Sequence, residues 1–101
     1  MAHVGGDTNG KECLETLVNE RVDTEFVDIQ KEKETNYHYV LWFEDDRTIL
    51  VKHQPFDYKL PEIDSPKWLY LSSLGEHTEK YHEEISNYLS NHPEVLLAFQ
   101  P

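Results

Sequence analysis

Between residues 37 and 52 the apolar positions stop alternating with polar ones. Tyr37, His38, Tyr39, Val40, Leu41, Trp42 and Phe43 form one run, and Thr48, Ile49, Leu50, Val51 and Lys52 form a second. Both runs are rich in the β-branched and aromatic residues that strands prefer. The polar stretch Glu44-Asp45-Asp46-Arg47 separates them by a hairpin-sized gap, with no glycine in the turn. A hairpin with one wet face alternates apolar and polar residues along each strand. This one is apolar on both faces over most of its length, which predicts that it covers a core, a partner or a ligand.

The rest of the pattern is ordered around that hairpin. Ala2-His3-Val4 reads as the end of a strand. Gly5-Gly6-Asp7-Thr8-Asn9-Gly10 holds three of the four glycines and marks a tight turn or a close backbone approach. A helix follows over 11–20, with Cys13, Leu14, Leu17 and Val18 as its apolar stripe and Thr8 or Asp7 as its N-cap. Polar and apolar residues alternate over 25–30, giving a half-exposed strand. Pro55, Pro61 and Pro66 make 54–66 a connection, with room for a short edge segment at 56–60. Residues 68–73 read as a buried strand. Thr78 caps a helix from Glu79 to about Ser90, whose face carries Tyr81, Ile85, Tyr88 and Leu89. Residues 95–99 read as a second buried strand. Strand, helix and strand within about 30 residues predict a βαβ unit with parallel strands. Parallel strands buried on both faces need helices on both sides. Two helices are too few for at least three such strands, so the expected α/β order, strand and helix, then a meander of strands, then βαβ, looks cut from something larger.

Composition narrows the classes of function. The 101 residues carry a net charge of −11, with 20 acidic and 9 basic side chains. So acidic a surface repels phosphate backbones and anionic lipid, which argues against nucleic-acid and membrane-surface roles. Twelve per cent aromatic residues argue against disorder. No apolar run approaches the roughly 20 residues of a membrane span, and the N-terminus has no signal-peptide pattern. The lone Cys13 excludes an internal disulfide, so a reducing, cytoplasmic setting is expected. The glycine cluster fits neither the Walker pattern nor G-x-G-x-x-G, so it reads as a structural turn rather than a phosphate site. His77 and His82 are five apart, and His82-Glu83-Glu84 does not continue to H-E-x-x-H, so no metal site is read. Cys13 reads as core rather than nucleophile, and Glu83 and Glu84 as solvent-facing.

Four stretches together resemble the PfkB carbohydrate kinases, the ribokinase-like family. Val4-Gly5-Gly6-Asp7-Thr8-Asn9-Gly10 is similar to the family's V-G-x-D-x-x-G. Arg21-Val22-Asp23-Thr24 is similar to its Gly-Val-Asp-Thr passage, with Arg21 in place of glycine. The segment 35–51 resembles the strand pair that opens with Thr and forms the sugar-covering lid. Residues 67–73, the following helix and 95–101 resemble a later strand, helix and strand end. The resemblance implies a partial ribokinase-like fold: a body fragment over 1–24, a β-strand lid over 25–54, a connection over 55–66 and a body βαβ unit over 67–101. It implies a piece of an ATP-dependent sugar kinase, with a sugar as the lid's ligand and a second lid as a possible dimer partner. ATP and Mg²⁺ belong to the full-length family. The G-A-G-D segment that supplies the catalytic base and anion hole is absent from this sequence, as is N-x-x-E, so the piece is expected to be inactive alone. Whether the chain should count as an enzyme is therefore open.

Within that frame the substrate-binding candidates are Asn36 and His38 on the lid and Ser72 and Ser73 at a strand end. Asn36, His38, Val40 and Trp42 share one strand face, and the first two can hydrogen-bond a sugar hydroxyl. Ser72 and Ser73 match positions that line the sugar floor in the family; strand-end capping is the plainer role. Arg47 and Lys52 would suit an acidic sugar, or simply offset Asp45 and Asp46. No catalytic, cofactor or metal residue is assigned. The competing function is a stand-alone interaction or dimerisation module built on the apolar hairpin.

Overall fold

A computed structural model describes Met1–Gln100. The chain divides into two units, Met1–Phe56 and Asp57–Pro101. It is a small mixed α/β protein whose strands pair into three two-stranded sheets. Among the described residues no helix is long and apolar enough to cross a membrane.

The first unit contains β1 (Ala2–Gly5), α1 (Thr8–Asn19), β2 (Val27–Gln30), β3 (Tyr37–Phe43) and β4 (Asp46–Lys52). β1 and β2 pair in parallel, with Val4 opposite Ile29. Val27–Gln30 was expected to belong with the lid strands. It instead completes a βαβ unit with β1 and α1, because α1 is a crossover long enough to return the chain parallel to its start. Asp7 is the N-cap of α1. Its backbone is extended (φ −99°, ψ 179°) and its carboxylate accepts the Gly10 amide, so the helix begins at Thr8, earlier than the glycines suggested. Of the apolar stripe of α1, Leu14 and Leu17 are half-buried. Val18 turns outward, and Cys13 is exposed rather than core. One short sheet offers α1 too little surface to cover four apolar side chains.

α1 ends in a Schellman motif. The Val22 amide donates to Leu17 O at 2.9 Å and the Arg21 amide to Val18 O at 3.0 Å. The motif needs a left-handed residue just past the cap, and Arg21 supplies it with φ 60°.

β3 and β4 form the expected antiparallel hairpin, with Tyr37 opposite Lys52 and Phe43 opposite Asp46. β3 has the bounds the sequence suggested, and β4 begins at Asp46, two residues earlier than expected. They leave a two-residue loop, Glu44-Asp45, with Glu44 left-handed at φ 51°. Phe56, within the proline-rich connection, forms no strand and is buried as a plug. It lies 5.9 Å from the His3 ring, with the Lys33 ammonium 5.7 Å from its own ring centre.

The second unit contains β5 (Trp68–Leu71), α2 (Glu79–Asn91) and β6 (Leu96–Phe99). β5 and β6 pair in parallel as expected, with Leu69 opposite Leu97 and Leu71 opposite Phe99. Tyr81, Ile85 and Val95 are its buried apolar residues. Tyr81 packs on Tyr58 with ring centres 5.5 Å apart. Burial raises both phenol pKa values. Glu84 was expected to face solvent. It is half-buried and accepts the Leu60 amide at 3.0 Å, which ties the connection to α2. The strands were expected to be buried. In fact Trp68 and Tyr70 are 62% and 65% exposed and Leu96 is 51% exposed. Leu97 and Phe99, on the side that faces α2 across a cleft, are also 44% and 55% exposed, so one helix leaves both faces of the two-stranded sheet partly bare.

Candidate functional site

The most connected group of side chains sits where the glycine turn meets the base of the hairpin. Thr35 is buried. Its hydroxyl donates to Asp7 Oδ1 at 2.6 Å, and its own amide donates to Asp7 Oδ2 at 2.9 Å. The same hydroxyl oxygen accepts the Gly5 amide at 2.9 Å. Asp7 therefore binds the hairpin base with both oxygens while Oδ1 caps α1. The two bonds from Thr35, followed by the bond from Gly10, hold the Asp7 carboxyl down at about 2.

Glycine is required for this approach. A Cβ on Gly10 would lie 2.2 Å from Gly5 O and 2.9 Å from Thr35 Oγ1. A Cβ on Gly5 would lie 2.3 Å from Lys33 O. The glycines serve backbone-to-backbone packing and a structural turn, the role expected over phosphate binding.

Further bonds close the hairpin's base. Asn36 accepts the Gln54 amide through Oδ1. The Lys52 ammonium bonds Glu34, which raises the lysine's pKa, and the Lys33 ammonium bonds Pro55 O. Of the two lid candidates, Asn36 thus has its carbonyl oxygen engaged structurally and retains its amide N–H groups for other partners. His38 is exposed. It shares a face with Val40, Trp42, Arg47, Ile49 and Val51, and the Arg47 guanidinium lies 5.8 Å from the Trp42 ring. Tyr37, Tyr39, Leu41, Phe43 and Leu50 occupy the opposite face. Trp42 is 65% and Phe43 75% exposed, so the hairpin presents apolar surface on both sides.

Ser72 and Ser73 follow the end of β5 and are exposed. They lie in the second unit, whereas Asn36 and His38 lie in the first. The second unit also has a cleft of about 450 Å³ between α2 and the sheet, lined by Leu71, His82, Ile85, Leu89, Leu97 and Phe99. Among the described residues, no group of three or more His, Cys, Asp or Glu side chains is placed to hold a metal ion.

Sequence reasoning left the cap between Thr8 and Asp7, of which the structure selects Asp7, and missed the clasp with Thr35. The pair lies 28 residues apart, and no local pattern reports such a contact. The one available signal was the threonine that opens the strand pair. No family model matches the chain, and neither a curated protein nor a solved structure matches it.

Proposed function

We propose that the chain is the hairpin-bearing part of an ATP-dependent sugar kinase of the ribokinase-like kind. In this reading the hairpin is the cover of the sugar site, and phosphoryl transfer is carried out by segments this sequence does not contain. The observation that carries the reading is the Asp7–Thr35 clasp. It joins two of the stretches on which the resemblance rests, the V-G-G-D-T-N-G turn and the threonine opening the strand pair. Arg21 adds support. It is left-handed where the family pattern has glycine, which is the conformation that favours glycine. The bare faces of the hairpin and of β5–β6 fit a chain with further layers to receive.

A cover contributes by excluding water from the reacting phosphoryl group and by orienting the sugar. His38 and the amide of Asn36 are the candidate sugar contacts at the hairpin, and Ser72 and Ser73 those at the strand end. The described residues offer no metal cluster and the sequence no G-A-G-D base, so no step involving ATP or Mg²⁺ is assigned to this chain. The purified chain with ATP, Mg²⁺ and a panel of sugars should show no turnover. A reading frame in which no G-A-G-D segment follows these residues would sink the proposal.

The exposed apolar hairpin favours one other reading, an interaction or dimerisation module that works by itself. That reading requires a cooperative melt of the isolated chain. A broad melt with dye-binding apolar surface counts against it.

A further inference from the structure

Asp7 has two structural duties, and they share atoms. Its Oδ1 accepts both the Gly10 amide, one of the orphan donors at the start of α1, and the Thr35 hydroxyl. That hydroxyl is also the acceptor for the Gly5 amide at the end of β1. Thr35 lies two residues before the hairpin begins. The hairpin's base is braced by Asn36 to Gln54 and by Lys52 to Glu34. The Gly6 amide also reaches Lys33 O at 3.1 Å, so the turn meets the backbone leading into the hairpin at several points.

We infer that the hairpin and the first turn of α1 form one conformational unit: the hairpin's seating and the helix cap open and close together through Asp7 and Thr35. Displacing the hairpin removes the Thr35 hydroxyl from Asp7 and Gly5 together. Gly5 then has a buried amide with no acceptor, and the Asp7 carboxylate loses the two bonds that fix its rotamer against Gly10. By linkage, fraying of the cap equally loosens the hairpin. This coupling follows from the hydrogen bonds alone and holds whether or not the chain belongs to a kinase.

Amide hydrogen exchange on the whole chain tests it. In the wild type, the amides of Gly5, Gly10 and Thr35 should exchange through one opening with one urea dependence. Thr35→Val, which changes no atom of α1, should speed exchange at Gly10 as well as Gly5 by about tenfold, roughly the worth of one such hydrogen bond. The Glu20 amide, bonded to Thr16 O at the far end of α1, should stay unchanged. Thr35→Ser, which keeps the hydroxyl, should restore protection. The inference is overturned if Thr35→Val accelerates Gly5 and leaves Gly10 protected. Should the variant not fold, the wild-type urea series decides, and separate openings for Gly10 and Thr35 would refute the coupling.

Discussion

Adding one methyl group at Gly10 sets two effects of opposite sign against each other. Gly10 lies in the first turn of α1, and alanine there gains up to about 1 kcal/mol of helix propensity. The new Cβ, however, would lie 2.2 Å from Gly5 O, whereas a relaxed carbon–oxygen contact is about 3.3–3.6 Å. The helix or β1 must therefore retreat by about 1 Å, an overpacking cost of about 1–3 kcal/mol. The same retreat pulls the buried Gly5 amide from Thr35 Oγ1, and an unsatisfied buried donor costs about 1–3 kcal/mol. Taking the middle of each range, about 2 and 2 against 1, Gly10→Ala should destabilise the first unit by about 3 kcal/mol. Urea unfolding followed through the amide signals of Val4 and Gly5 measures it. Thr16→Ala is the control. It lies on an exposed face of the same helix, its hydroxyl donating only to Glu12 O, and should gain about 0.5 kcal/mol. If Gly10→Ala behaves like Thr16→Ala, the glycine turn is not in backbone contact with β1 and the clasp geometry is wrong.

Two further outcomes are expected. Arg21→Gly should stabilise the first unit by about 0.5–1 kcal/mol, because glycine takes the left-handed cap without a Cβ penalty; a fall in the urea midpoint would show that Arg21 is not left-handed. Asp7, lowered to about 2 from an ordinary 3.8, contributes stability that is fully present above about pH 4 and is lost as pH falls through about 2. Asp7→Asn should therefore flatten the acid limb of the first unit's stability profile between these values. Lys52 and Glu34 are the charged neighbours at the same hairpin base. An unchanged slope would assign the acid sensitivity to other carboxylates.

What the sequence disclosed follows the range of the forces involved. The hairpin, both helices and the parallel β5–α2–β6 unit were readable because apolar spacing and caps act over a few residues. Asp7 was nameable as a cap for the same reason. The partner of Val27–Gln30 was not readable: alternation shows that a segment is a half-exposed strand, but not which strand it meets. The Asp7–Thr35 contact was hidden because two polar residues far apart in sequence carry no periodic signal. Exposure was misjudged at Cys13, Trp68 and Tyr70. Apolar character says that burial is favourable, not that this stretch of chain supplies the surface to bury them against. The reverse held at Glu84, where charge suggested solvent and the hydrogen bond from the Leu60 amide held the side chain in.

The hairpin has only two strands, so each presents one row of backbone donors and acceptors that the other does not satisfy. Such a row is a template for any extended segment that reaches it. Here the adjoining side chains are large and apolar, and the restraint against pairing comes from charge: Glu44, Asp45 and Asp46 cluster at the tip, on a chain of net charge −11. Repulsion between exposed charges is screened over about 10 Å at 0.1 M salt and over about 3 Å at 1 M. Any strand addition at these edges would therefore follow ionic strength, and would increase as pH is lowered toward the isoelectric point near 4.8.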